Sequence, residues 1–175
     1  MSSTEVVLRM IGAALAGYLL GSIPFGVLAG RFFGQRDPRA FGSGKTGATN
    51  VLRTLGPGPA AFVVVGDVLK GMAAVLLARL VFFGGDSNAN AQATAEALAG
   101  FCAILGHNYS ILIGFKGGRG VLTGTGAMTA MSPLAEMARS RTSIRIGPSK
   151  PSNHAVNRSR SAADPMNRSG GTTSK

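Results

Sequence analysis

The sequence predicts an all-α protein, a polytopic integral membrane helical bundle, and three observations carry that reading. Charged residues make up only 14% of the 175-residue chain, against ~25% in an ordinary soluble domain. Mean hydropathy is nevertheless positive, at +0.24, in a chain whose formal net charge is +11. The two properties occupy different segments. Apolar residues gather in four runs, while most cations fall between them and in the last 40 residues, about +5 up to residue 135 and about +6 from 136 onward. This composition excludes a soluble globular enzyme. The single cysteine, Cys102, excludes an internal disulfide. With only two histidines beside it, no metal site is expected.

The first run, residues 6–30, reads VVLRMIGAALAGYLLGSIPFGVLAG with one charge, Arg9. It is long enough to span a hydrocarbon core of about 30 Å. A cleaved signal peptide is shorter and has positive charge in front, whereas Glu5 precedes this run and the apolar stretch continues past any cleavage site. Gly12, Gly17, Gly21 and Gly26 recur along it, a spacing that lets membrane helices approach closely, and Pro24 is expected to kink it. A polar stretch, residues 31–56, leads to a second run, 59–84, which Asp67 and Lys70 interrupt. A short acidic, Asn-rich turn, 85–90, precedes a third, Ala-rich run at 91–105. After a polar loop at 106–120, a fourth run starts at Val121 and gives out near Met137, too soon for a complete crossing.

Topology follows from the loops. Arg31, Arg36, Arg39, Lys45 and Arg53 crowd the first, and Lys116 and Arg119 lie in the third, while the second carries Asp86 and no base. The positive-inside rule places the first and third loops in the cytoplasm and the N-terminus outside. From Arg139 onward Leu, Phe and Tyr are absent and Arg, Ser, Asn, Pro and Thr dominate. Such a segment cannot bury enough apolar area to offset its ordering entropy. The chain therefore divides into a membrane domain, 1–137, and a basic disordered tail, 138–175. The tail is read as solvated, with adhesion to anionic lipid headgroups as the sharper alternative. No nucleic-acid partner is expected, since no aromatic residues interleave with the charge.

Three segments carry chemistry. The first is Gly42-Ser43-Gly44-Lys45-Thr46-Gly47-Ala48-Thr49-Asn50, with Arg53 three residues on. Its GSGKT core suggests a nucleotide P-loop, but Arg39 stands where that pattern needs its first Gly and the polar RDPRAF replaces a buried strand. The physical logic survives that rejection. Glycines free backbone N–H groups to converge on an anion, and Lys45, Arg53 and Ser43 add charge and a hydroxyl. The second segment is Asp67-Val68-Leu69-Lys70-Gly71, where i,i+3 spacing puts the two charges on one helix face. The third, Phe115-Lys116-Gly117-Gly118-Arg119-Gly120-Val121, is a basic Gly-rich turn entering a helix, whose start favours phosphate. His107 and Asn108 lie just upstream. An unpartnered loop histidine is more often a surface hydrogen-bonding group than a catalytic base.

Together, in this order and spacing, these segments resemble the PlsY family, the membrane glycerol-3-phosphate acyltransferases of bacteria. The family's first motif appears as Gly21-Ser22-Ile23-Pro24, Asp37, Arg39 and Gly42 through Arg53, with Lys45 in place of Asn. Its D-x-x-KG element matches Asp67, Lys70 and Gly71. Its GH and F-K-GGKG-V-x-T elements match Gly106-His107 and Phe115 through Thr123, with Arg119 replacing Lys. The resemblance covers about residues 8–136. The family's last motif, His-x-x-Asn-Ile, has only a chance echo in His154 and Asn157, so the end of the chain reads as divergent or frameshifted and the bundle as incomplete there.

The resemblance implies acyl transfer from an acyl-phosphate to the 1-hydroxyl of glycerol 3-phosphate, giving lysophosphatidate in phospholipid synthesis. It implies Ser43 and Arg53 as catalytic residues, with Arg53 holding glycerol phosphate. Gly42, Gly44, Gly47, Asn50, Lys70, Lys116, Gly117, Gly118, Arg119 and Gly120 are the implied substrate-binding residues, those of the third segment cradling the acyl-phosphate. Ser43 is not read as an acylated nucleophile, because no base lies near it in sequence. No cofactor is implied. The expected setting is the inner (plasma) membrane, among membrane lipids, with both Gly-rich loops cytoplasmic and a functional link to the enzyme supplying acyl-phosphate. The alternatives are a catalytically inactive truncated remnant, or a small membrane protein that binds phosphate or lipid.

Overall fold

A computed structural model describes residues 2–34, 36–83 and 88–132, and within them every regular element is helical. Helix α1 (Ser3–Gly21) is N-capped by Ser2, whose hydroxyl accepts from the Glu5 N–H. The first apolar run does not continue as one kinked helix. It ends at Gly21, turns through Ser22 and Pro24, and resumes as the short α2 (Phe25–Ala29), which closes in a π-helical turn, Gly30–Gly34. Pro24 offers no N–H to the preceding turn, and that missing donor makes the break.

The polar stretch holds structure that its composition hides. Asp37 caps a 3₁₀ turn, Pro38–Ala40, and Gly47 opens an amphipathic helix α3 (Ala48–Leu55). Helix α4 (Pro57–Leu77) runs on into a π-helical turn, Ala78–Phe82. Helix α5 (Ala89–Asn108) extends three residues beyond the apolar run that predicts it, and α6 (Val121–Met131) follows the third loop. Three stretches, Ser3–Gly34, Pro57–Phe82 and Ala89–Ile113, are long and apolar enough to cross a membrane. Residues 85–87 of the acidic turn, the end of the fourth run and the basic tail lie outside the described residues, so the domain boundary at 137 does too.

Small residues set the helix spacing. Gly17 and Gly21 of α1 lie against the backbone of Ala99 and Ala103 on α5, so closely that a Cβ at either would collide with a carbonyl. Gly71 of α4 and Gly126 of α6 meet the backbones of Thr123 and Val68 in the same way. Lipid tails are as apolar as Leu, so close backbone packing of this kind is what holds membrane helices together. At one end of the bundle Arg79 and Glu96 form a buried ion pair, Nε to Oε1 at 2.7 Å and Nη2 to Oε2 at 2.6 Å. Arg79 also donates to the Ala130 carbonyl, so the pair joins α4, α5 and α6. Mutual pairing is how two such charges are tolerated in an apolar bundle. The opposite end holds the end of α1, the start of α4, the end of α5 and the start of α6. Both Gly-rich loops therefore meet there.

Candidate functional site

The first loop is built around two side chains. Asp37 accepts from the Arg39 backbone N–H at 2.9 Å and from its Nη2 at 2.7 Å. That hydrogen bond from Arg39 holds the Asp37 carboxyl below the usual carboxylate range. Arg39 Nη1 reaches across to donate to the Ile113 carbonyl at 3.0 Å, tying the first loop to the third. Asn50, in the first turn of α3, is 3% exposed and organises the rest. Its Nδ2 lies within donating distance of the carbonyls of Pro38 (2.7 Å), Lys45 (2.9 Å) and Phe41 (3.2 Å), and its Oδ1 accepts from the Ser43 N–H at 2.9 Å. Gly42 and Gly44 flank Ser43 at φ +59° and +67°, a left-handed conformation that side chains resist.

The third loop closes onto the end of α5. Gly117 N–H donates to the Asn108 carbonyl and Gly118 N–H to that of His107, each at 3.1 Å. Both glycines pack so tightly on His107 that a Cβ would strike its backbone or its ring. Behind this contact lies a buried cluster. Lys70 Nζ donates to the Ile23 carbonyl at 2.9 Å, and 2.9 Å separates it from Nδ1 of His107. It is also 2.8 Å from Asp67 Oδ1. That last contact is a buried ion pair. The i,i+3 pairing of Asp67 with Lys70 is as the sequence predicts; the third partner is not.

Between the two loops, α3, α4 and α6 enclose a cavity of about 600 Å³. Lys45, Arg53 and Arg119 border it, with Ser43 from the first loop and Asp67 and His107 on the inner wall. Two helix starts open into it, residues 47–49 at the start of α3 and residues 120–122 at the start of α6. The first N–H groups of a helix have no intrahelical partner, so both present donors and a favourable dipole to an anion. Leu52, Ala60, Val64, Val121 and Leu122 form an apolar wall, of which Leu52, Val64 and Val121 are exposed. The cavity thus joins an anion-binding end to an apolar side. Arg31, Arg36, Asp37 and Arg39 border a separate cavity.

Of the residues singled out from sequence, Ser43, Gly47, Asn50, Arg53, Arg119 and Gly120 line the central cavity. Gly42, Gly44, Lys70, Lys116, Gly117 and Gly118 do not line it. The glycines among them shape or seat the loops, Lys70 is bound into the buried cluster, and Lys116 is exposed. The Asn50 amide is spent on the loop, so its side chain positions the site from behind. Sequence reasoning undervalued His107, which is 7% exposed and not a surface group. Its 37-residue separation from Lys70 hid the contact.

Comparison with known proteins follows the same residues. The family described as Glycerol-3-phosphate acyltransferase matches residues 11–142. A glycerol-3-phosphate acyltransferase of Synechococcus elongatus is 43% identical over 133 residues, covering 76% of this chain and 63% of the relative. One from Gloeobacter violaceus is 49% identical over 121 residues, 69% of this chain and 57% of the relative. The chain thus spans about three fifths of the length of these curated relatives. Among solved structures, PlsY, an integral membrane glycerol 3-phosphate acyltransferase, superposes in its glycerol 3-phosphate form with a TM-score of 0.59 at 38% identity. That match covers 73% of this chain and 60% of PlsY. The lysophosphatidic acid form gives a TM-score of 0.57 at 36% identity, covering 73% and 59%.

Proposed function

This chain belongs to the glycerol-3-phosphate acyltransferase family, and from that premise we propose that its central cavity transfers an acyl group from an acyl-phosphate to glycerol 3-phosphate. The observation that carries the reading is the joining, in one cavity, of three cations and two helix starts with an apolar wall. One substrate then places phosphate among the cations while the other lays its acyl chain along Leu52, Val64, Val121 and Leu122. Arg53 grips the phosphate of glycerol 3-phosphate, since a guanidinium suits two-point contact with phosphate oxygens. Arg119 and Lys45, with the start of α6, hold the acyl-phosphate. Ser43, fixed through its N–H by Asn50, supplies a hydroxyl beside the reacting groups.

The 1-hydroxyl oxygen attacks the acyl carbonyl carbon, a new C–O ester bond forms, and the bond from that carbon to the phosphate oxygen breaks. Inorganic phosphate leaves and takes up the hydroxyl proton; lysophosphatidate remains. The reaction faces the cytoplasm at the inner membrane, on the charge asymmetry of the loops, and depends on an enzyme that supplies acyl-phosphate. The test is direct. The purified full chain, incubated with a long-chain acyl-phosphate and radiolabelled glycerol 3-phosphate, is expected to release lysophosphatidate and phosphate one for one. Absence of labelled lysophosphatidate would overturn the proposal.

A further inference from the structure

The Lys70–His107 contact determines which way the histidine ring is protonated. An ammonium group has three donors and no acceptor. With Lys70 charged, Nδ1 of His107 accepts from Nζ at 2.9 Å and therefore carries no proton of its own. The neutral ring then carries its hydrogen on Nε2. The opposite arrangement, a neutral Lys70 accepting from an Nδ1–H, either leaves the Asp67 carboxylate 2.8 Å away without a compensating charge or moves that charge to an imidazole, a far weaker base than a lysine amine. Asp67 is 2% exposed, where an uncompensated charge is strongly disfavoured, so charge balance and ordinary basicity together select the first arrangement. Nε2 lies beside Gly118, where a Cβ would run into it, and the ring borders the central cavity.

We propose that Lys70 is a positioning residue that locks His107 as the Nε2–H tautomer, so that the ring offers the cavity a hydrogen-bond donor for a phosphate oxygen and not a base for a hydroxyl. The anion's identity rests on the acyltransferase reading; the tautomer does not. The proton that leaves the attacking hydroxyl must accordingly go elsewhere, to the departing phosphate. His107 instead stabilises negative charge on that phosphate.

Nitrogen NMR of the full chain labelled with ¹⁵N-histidine, in lipid nanodiscs, reads this out. His154→Gln removes the other histidine signal. The expected spectrum shows a protonated Nε2 and a bare Nδ1 at His107; a protonated Nδ1, or a doubly protonated ring, would overturn the proposal. In Lys70→Arg, which still donates, the tautomer is expected to persist. In Lys70→Met the remaining neighbour of Nδ1 is Asp67 Oδ1, at 3.4 Å, so the proton is expected to move to Nδ1. An unchanged tautomer in folded Lys70→Met would remove Lys70 from its role, and if that variant does not fold, the wild-type and Arg spectra decide. Saturating inorganic phosphate, the group that departs in the proposed reaction, its binding followed by its own ³¹P signal, is expected to shift the Nε2–H proton. Binding without that shift would overturn the donor role. The shift with inorganic phosphate in a chain that makes no labelled lysophosphatidate would uphold the donor and count against the acyltransferase reading.

Discussion

Asn50 turns a glycine-rich polar loop into a fixed structure. Its carboxamide ties together the carbonyls of Pro38, Phe41 and Lys45 and the N–H of Ser43, all in a segment with little apolar area to bury. Leaving buried partners unsatisfied costs about 1–3 kcal/mol. Asn50→Ala is therefore expected to lower stability by roughly that amount and to loosen the loop; thermal unfolding and limited proteolysis between Phe41 and Gly47 check it. Unaltered unfolding and cleavage would show that the loop holds itself. The sequence motif points to Asn50 without revealing its job. Its partners are set by a 3₁₀ turn and two left-handed glycines, and none of these is visible in residue types alone. Asp67 and Lys70 were readable as a pair because helical geometry puts i and i+3 on one face. His107 comes from another helix, and no local spacing announces it.

The long helices were legible because apolar runs of membrane length admit few other readings. Where backbone chemistry intervenes, hydropathy says less. The first run is apolar throughout, yet Pro24 divides it, and α3 lies hidden in a stretch that reads as a polar connector. The Arg79–Glu96 pair was also illegible, because its members belong to different runs and meet only once α4 and α5 pack. Recurring glycines, in contrast, correctly announced close helix contact. At Gly21 a methyl group would meet the Ala103 carbonyl, whereas at Gly58, near the start of α4, it would meet nothing within 4 Å. Overpacking of a tight contact costs about 1–3 kcal/mol. Gly21→Ala is thus expected to lower the unfolding temperature in detergent, while Gly58→Ala leaves it unchanged or slightly raised. Equal effects would mean that α1 and α5 can separate without penalty.

At the scale of the whole molecule, alternating helices bring both basic loops to one end of the bundle and the Arg9–Glu5 pair at the start of α1 to the other. Charge asymmetry then predicts the side: Ser43→Cys and Lys116→Cys, both exposed positions, are expected to react with impermeant reagents only after the membrane is opened. Asn90→Cys, exposed at the start of α5, is expected to react in intact cells; all three are made on a Cys102→Ala background. Labelling of Ser43→Cys from outside would reverse the orientation. That both basic loops lie at one end of the bundle was foreseeable from where the charges lie, but the central cavity was not, because it needs α3, which composition conceals. The central claim is that this cavity, and not the general positive charge of the loops, holds glycerol phosphate. It is tested most directly by equilibrium binding of radiolabelled glycerol 3-phosphate to the wild-type chain, Arg53→Ala and Arg31→Ala. Arg53 lines the central cavity, whereas Arg31 lines the separate one. A hydrogen bond to a charged group contributes about 1.5–3 kcal/mol, so Arg53→Ala is expected to weaken binding about tenfold to a hundredfold while Arg31→Ala changes it little. Equal losses from the two variants, or no binding by the wild-type chain, would contradict the account.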